Sequence, residues 1–271
     1  MTPVNEQVVL VTGATDGHGK GVALELARRG ATVLVHGRDD ARIAATLKEL
    51  AATGNTKGKG YRADLASLAE VRALGAAVLA GEKRLDALVN NAGIGTTVPG
   101  GGVRAVSRDG VEMRFAVNYL APFLLTRLLL PLIKSSAPAR IVHVSSLGQQ
   151  AIDFDDVMLE GEYSGVRAYC QSKLAQILET IDEAEELRDA RVTVNALHPA
   201  TYMPTKIVPS PMSSLEEGVE ATVRLVVDPS LDATSGRFFN GLRDTEASEQ
   251  AYDGAARKKL RALSARLTGV T

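Results

Sequence analysis

Val8-Val9-Leu10-Val11-Thr12-Gly13-Ala14-Thr15-Asp16-Gly17-His18-Gly19-Lys20-Gly21 carries an apolar run straight into a turn with four glycines in its last nine positions. VALELARRG (22–30) follows with the apolar spacing of a helix. Glycine costs backbone entropy on folding, so a cluster of it between a strand and a helix needs an offset. A phosphate supplies one: backbone N–H groups and the helix N-terminus can face a dianion with no side chain in the way. The spacing, Gly13-x3-Gly17-x-Gly19, differs from the usual G-x-G-x-x-G although the physics is shared. On its own the pattern is weak, because such a turn can simply be tight.

The rhythm extends outward from that turn. Val8–Val11, Ala31–Val35, Leu85–Val89, Ile141–Val144 and Arg191–Leu197 read as strands, with shorter ones at Gly60–Arg62 and Gly236–Phe239. Most are continuous apolar runs, as for strands covered on both faces of a parallel sheet. Helical patterns at 20–29, 39–52, 67–80, 111–133 and 169–188 alternate with them. The expected fold is α/β: a single-domain Rossmann fold over 1–271, a doubly wound parallel sheet with helices on both faces. Two stretches break the rhythm: Gly93–Gly102, and Pro199–Ser214 with four prolines in sixteen residues. Long loops in compact domains are often functional, and the region of about 199–215 reads as a substrate lid.

Composition removes several classes. With a formal charge of −1, pI about 6.5 and 23% charged residues, the chain carries no nucleic-acid footprint. The single Cys170 rules out an internal disulfide and a cysteine-rich zinc site. Asp153, Asp155 and Asp156 read as a solvated loop, with no residue spaced to close a metal shell. The apolar region from Tyr119 to Ile133 holds Pro122, Arg127 and Pro131, which read as interruptions too frequent for a membrane segment. A cytoplasmic protein is the expectation.

Downstream signatures then make the sequence recognisable. TGATDGHG (12–19), Asn90-Asn91-Ala92-Gly93, Asn118 in a helix, IVHVSS (141–146) and Tyr169-Cys-Gln-Ser-Lys173 stand in that order. Together they resemble the cofactor turn, NNAG, asparagine, serine and YxxxK signatures of the short-chain dehydrogenases/reductases. The stretch RAYCQSKLAQ (167–176) and the tail look nearest to that family's retinol-dehydrogenase-like branch. The resemblance implies an alcohol/carbonyl oxidoreductase, with hydride passing to or from a nicotinamide and Tyr169 passing the proton. A small-molecule alcohol or carbonyl is the implied partner, and a homodimer or homotetramer is expected through the 111–133 and 169–188 helices.

Tyr169 and Lys173 are spaced i, i+4 and share a helix face, so an ammonium there favours the phenolate. Of Ser145 and Ser146, strand alternation leaves one facing the site; the resemblance chooses Ser146. It also gives Asn118 a water that links Lys173 to solvent. For the cofactor it implies contacts from Gly13, Thr15, Asp16, Gly17, His18, Gly19, Asp64, Leu65, Asn91, Ala92, Gly93, Tyr169, Lys173, Pro199 and Thr201. His18 could reach a phosphate or simply pack, and Asp64 could meet adenine or cap the next helix. Where NAD-preferring members carry Asp the chain has Gly37, followed by Arg38, whose guanidinium can fork onto a 2′-phosphate. NADP(H) is therefore favoured over NAD(H), although Asp16 sits where NADP-preferring relatives are often basic. Tyr202, Met203, Ile207, Val208 and Met212 make the lid apolar, which suits a lipophilic substrate. The alternatives are a catalytically silent NADP(H) sensor and a sugar-nucleotide epimerase or dehydratase. The complete Asn118/Ser146/Tyr169/Lys173 set argues against the first. The roughly 70 residues after His198 argue against the second.

Overall fold

Leu10 lies beside Leu34 on one side and Leu88 on the other, and all three are fully buried. Each such leucine contributes about 2 kcal/mol by leaving water. A computed structural model of the protein describes residues 2–96, 102–201, 203 and 212–270. Its strands are β1 (Val8–Val11), β2 (Thr32–Gly37), β3 (Lys59–Arg62), β4 (Ala87–Asn90), β5 (Ala139–Val144), β6 (Val192–His198), β7 (Arg237–Asn240) and β8 (Arg243–Thr245). They form one sheet in the order β3-β2-β1-β4-β5-β6-β7-β8, parallel throughout except for the antiparallel β7–β8 pair. The order reverses between β1 and β4, and in such sheets ligands bind in the crevice beyond the strand C-termini at that switch.

Helices cover both faces: α1 (Gly17–Arg28), α2 (Asp40–Ala52), α3 (Leu68–Gly81), α4 (Ala121–Ser135), α5 (Gly165–Glu186), α6 (Leu215–Val227) and α7 (Gly254–Thr268). Val9 and Val11 pack toward α1, α2 and α6, whereas Leu10 packs toward α3 and α4. One strand thus feeds two cores, which is why its pattern is continuous rather than alternating. Side chains cap the starts of six helices: Asp16 takes the Gly17 N–H of α1, Asp39 takes the Arg42 N–H of α2, and Ser67, Ser164, Ser214 and Asp253 serve α3, α5, α6 and α7.

One reading of the sequence is corrected. Pro122, Arg127 and Pro131 do not interrupt their segment: a π-helical stretch, Phe115–Leu120, runs directly into α4. The joined helix, Phe115–Ser135, is 21 residues long with mean hydropathy 1.6, enough by length and composition to cross a membrane. It is instead the inner helix of the fold, 78% buried in its most apolar window. Pro122 sits in the first turn of α4, and Arg127 is neutralised by Glu179 (3.1 Å) and Glu186 (2.6 Å). α7 packs one face onto the fold. On α7, Leu260 and Ser264 are buried, with Ser264 Oγ 2.7 Å from the Tyr119 hydroxyl, and Arg257 pairs with Glu185 (3.0 Å) on α5. α7 therefore lies on the helices from which an oligomer was expected.

Candidate active site

The glycine turn is built by close approach. Gly13 (φ +65°) and Gly17 (φ +49°) adopt left-handed backbone that disfavours side chains. A Cβ at Gly19 would lie 2.4 Å from the Gly13 carbonyl oxygen and 2.2 Å from Asn91 Nδ2, so only glycine fits. Asp16 caps α1 by accepting from the Gly17 N–H (2.9 Å), and its other oxygen meets Arg42 (3.1 Å). Its carboxylate thus holds the turn together. The N–H groups of His18 and Gly19 have no protein acceptor among the described residues. Those two amides, at the positive end of α1, are what a pyrophosphate needs.

Asn91 and Ala92 donate their N–H groups to Thr12 Oγ1 (2.9 and 3.0 Å), and Asn91 Nδ2 donates to the Thr12 carbonyl (2.8 Å). The end of β4 is thereby clamped to the end of β1. His36, which the sequence reading passed over, is a second clamp. Its Nδ1 accepts from the Gly13 N–H (3.1 Å), so its Nε2 carries the proton and donates to the Ala63 carbonyl (3.1 Å). Burial pushes its pKa down to about 4. A lone histidine inside the run VLVHG was the available signal. His18 does not point outward: its ring lies between Asn91 on one side and α6 on the other.

At the far end of β2, Arg38 is exposed and makes no ion pair among the described residues. Its neighbour Gly37 has no room for a side chain, since a Cβ would lie 2.5 Å from Thr15 Cγ2. Asp64 does not cap α3; Ser67 does. Asp64 Oδ1 accepts from the Ala66 N–H (3.1 Å), and its other oxygen has no partner among the described residues. The Leu65 side chain is in the core, so only its backbone can line a ligand cleft.

On α5, Lys173 is buried and its Nζ sits 5.8 Å from the centroid of the half-buried Tyr169 ring. The ammonium donates to the Val144 carbonyl (2.7 Å) and to Gln176 Oε1 (3.0 Å), and burial brings its pKa down to about 7. Gln176, also missed from sequence, is one turn further along the same helix face. Ser146 Oγ accepts from the Gly148 N–H (3.0 Å), which leaves its hydrogen free to donate. Ser145 turns away and donates to the Lys173 carbonyl (2.7 Å). At Gly148 a Cβ would lie 3.4 Å from Ser146 Oγ and 3.6 Å from Tyr169 Cε1, so serine and tyrosine flank one open spot.

Asn118 lies in the π-helical stretch, a deviation that often marks functional sites. Its amide oxygen accepts from the Ile94 N–H (2.7 Å), and its Nδ2 donates to Ser172 Oγ (2.9 Å) and the Ile94 carbonyl (3.1 Å). The side chain thus fastens the segment after Gly93 against α5. A Cβ at Gly93 would lie 3.3 Å from Asn118 Oδ1 and 3.5 Å from Lys173 Nζ, which brings the NNAG segment to the Tyr169–Lys173 pair.

The 147–164 loop is pinned. Gln250 brackets Ile152 through two bonds (2.6 and 3.1 Å), Arg104 donates to the Met158 carbonyl (2.9 Å), and Tyr163 bridges Glu112 (2.9 Å) and Arg114 (2.7 Å). Asp153 pairs with Arg167 (2.8 Å), so this acid serves loop geometry. Of the lid, Tyr202, Thr205, Ile207 and Val208 lie outside the described residues. Pro199 is buried, Thr201 Oγ1 is 3.1 Å from His198 Nε2, and Met203 packs where a Cβ on Gly218 would be.

His36 and His198 both have pKa values near 4, from burial and, for His198, also from the Lys173 charge. Each binds a proton in the unfolded chain near pH 6.5 but not in the folded one until about pH 4, so stability is present above 6.5 and drains away on acidification. By linkage each group forfeits about 2 kcal/mol at pH 5. Urea unfolding at pH 7 and pH 5 should show this loss, and replacing His36 with Gln should remove about half of it.

The short chain dehydrogenase family model matches residues 7–211. Human retinol dehydrogenase 13 is 38% identical over 97% of this chain and 85% of its own, and human retinol dehydrogenase 14 is 37% identical over 97% and 87%. The crystal structure of an uncharacterized protein from Mycobacterium paratuberculosis superposes with a TM-score of 0.78 at 29% identity, covering 98% of this chain and 94% of that one. A Pseudomonas aeruginosa RhlG/NADP active-site complex superposes at 0.70 with 26% identity, covering 89% and 97%. The glycine turn, the clamped NNAG segment and the Tyr169–Lys173 pair thus stand on a fold and sequence shared with oxidoreductases, and the chain belongs to the short-chain dehydrogenase family, on its retinol-dehydrogenase-like branch.

Proposed function

We propose that this protein interconverts an alcohol and a carbonyl on a lipophilic small molecule, using NADP(H) in preference to NAD(H). The observation that carries the reading is a buried lysine beneath a tyrosine ring, beside a serine hydroxyl with a proton to donate. A bound nicotinamide supplies or takes up the hydride. His18 and Gly19 amides would hold its pyrophosphate, and the unpartnered oxygen of Asp64 would meet the adenine amino group. Ser146 donates to the substrate oxygen and fixes it beside the Tyr169 hydroxyl. In reduction Tyr169 gives that oxygen a proton; in oxidation it takes one back. The Lys173 charge favours the phenolate and so brings the phenol toward the working pH. Asn118 and Gln176 position this pair through Ile94, Ser172 and the Lys173 ammonium.

NADP(H) is supported by the exposed, uncommitted Arg38 guanidinium and by the lack of space for a carboxylate at Gly37. The description of the RhlG relative as an NADP complex points the same way. Decay of NADPH absorbance with a panel of lipophilic aldehydes and ketones tests the activity; binding of NADPH without decay for any carbonyl would favour a sensor. Arg38→Asp should weaken NADPH by about 1.5–3 kcal/mol, the worth of a charge-assisted bond, and leave NADH nearly unchanged. Equal losses for both cofactors would refute the phosphate role.

A further inference from the structure

His18 is enclosed by oxygens. Its Nδ1 lies 2.9 Å from Asn91 Oδ1, and its Nε2 lies 3.0 Å from the Gly218 carbonyl oxygen and 3.1 Å from Thr222 Oγ1. Asn91 cannot be turned round to offer a donor, because its Nδ2 is already bonded to the Thr12 carbonyl (2.8 Å). The Thr222 hydroxyl is within 3.0 Å of the Gly218 oxygen and has one hydrogen to give. A neutral imidazole has one N–H: with the proton on Nε2 the Nδ1 lone pair faces Asn91 Oδ1, and with it on Nδ1 the Nε2 lone pair can take the Thr222 hydroxyl hydrogen but still faces the Gly218 carbonyl oxygen at 3.0 Å. Only the doubly protonated ring donates to both Asn91 and Gly218 while Thr222 also donates to Gly218.

What opposes that state is burial, since a lone charge in this position has no counter-ion, and the lowered pKa of His18 reflects it. The surrounding charges do not compensate. Lys173, on α5, opposes protonation. On α1, Asp16 is committed to the Gly17 N–H and Arg42, and Lys20 to Glu49. On α6, Glu216, Glu217 and Glu220 are exposed. The missing counter-charge belongs at the N-terminus of α1, where the His18 and Gly19 amides face outward.

We propose that His18 takes up a proton when a dinucleotide's pyrophosphate binds at the glycine turn, becoming a buried imidazolium that donates to Asn91 and Gly218. This rests on the dinucleotide reading above. The ring then ties β1, β4 and α6 into one frame around the phosphates, and Met203, which packs over Gly218 beside the ring, couples that frame to the lid. It is a positioning residue whose charge appears with the ligand.

Calorimetry of NADPH binding to the full chain, in buffers of different ionisation enthalpy at pH 7, counts the protons taken up. The expected result is an uptake approaching one, with affinity falling by up to about tenfold per pH unit as pH rises toward the bound-state pKa. His18→Leu should bind NADPH with that uptake removed; Thr222→Val, which keeps both carbonyl-type acceptors, should retain it. The 15N shifts of His18 should move from the neutral to the imidazolium range on adding NADPH. Binding without uptake, uptake unchanged in His18→Leu, or a neutral His18 spectrum in the complex would each overturn the proposal. No NADPH binding at all would instead defeat the dinucleotide reading.

Discussion

Tyr169→Phe should reduce carbonyl turnover by about a thousandfold or more, at the upper end of what general acid–base catalysis supplies. The substitution deletes one oxygen and keeps the ring that lies over the Lys173 ammonium at 5.8 Å. Binding and hydride geometry therefore survive, and the substrate oxygen loses its proton source. The signature is a fall in kcat with the NADPH dissociation constant little changed, read from single-turnover absorbance and a fluorescence titration. A variant with wild-type kcat would remove Tyr169 from the chemistry. Loss of both parameters together would mean that the hydroxyl shapes the cofactor site instead. Lys173 enters the same measurement. Its pKa near 7 places loss of the ammonium inside the accessible range, so wild-type kcat should depend on pH around neutrality.

Gly19→Ala should damage cofactor binding severely. The new Cβ would meet the Gly13 carbonyl oxygen at 2.4 Å as well as Asn91 Nδ2 at 2.2 Å. The first is backbone of the same turn and the second is held to Thr12, so neither can swing aside cheaply. Overpacking of this kind costs about 1–3 kcal/mol of stability. The helix N-terminus would also shift relative to Gly13, and a displacement of about 1 Å in a positioned site can cost a hundredfold. We expect NADPH affinity to fall by about that factor, with a lowered unfolding midpoint. Gly54→Ala is the matched control. Gly54 also has left-handed backbone (φ +90°), but nothing lies within 4 Å of its Cβ position. Only the local conformational cost of about 1 kcal/mol should appear there, with cofactor affinity intact. Equal effects at the two positions would show that crowding at the turn is not what makes Gly19 necessary.

Much of this was legible along the chain because it is local. A strand–glycine–helix unit, an i, i+4 tyrosine and lysine, and serines at a strand end each lie within a few residues of one another. What escaped the sequence reading spans distance. His36 serves Gly13 and Ala63 because β1, β2 and β3 are neighbours in the sheet, which no spacing within VLVHG announces. Tyr163 serves Glu112 and Arg114 across about fifty intervening positions. The proline-based reading of the 119–133 region failed for a different reason. Pro122 is taken up where the π-helical stretch passes into α4, and once Arg127 had two carboxylates from α5 it no longer cost burial.

The order of apolar strands, helices and glycines along the chain by itself determined a parallel α/β sheet with a phosphate-ready turn and a phenol–ammonium pair, because hydrophobic period and short-range spacing are written locally. Tertiary structure alone decided which polar groups are committed and which stay free. Asp16 is consumed by Gly17 and Arg42, Asn118 by Ile94 and Ser172, and His18 by Asn91 and α6, whereas Arg38 and the amides at the start of α1 meet no such partner among the described residues. That division depends on which atoms the folded sheet brings within about 3 Å of each other, the reach of a hydrogen bond, and residues far apart in sequence acquire that distance only when the chain has closed.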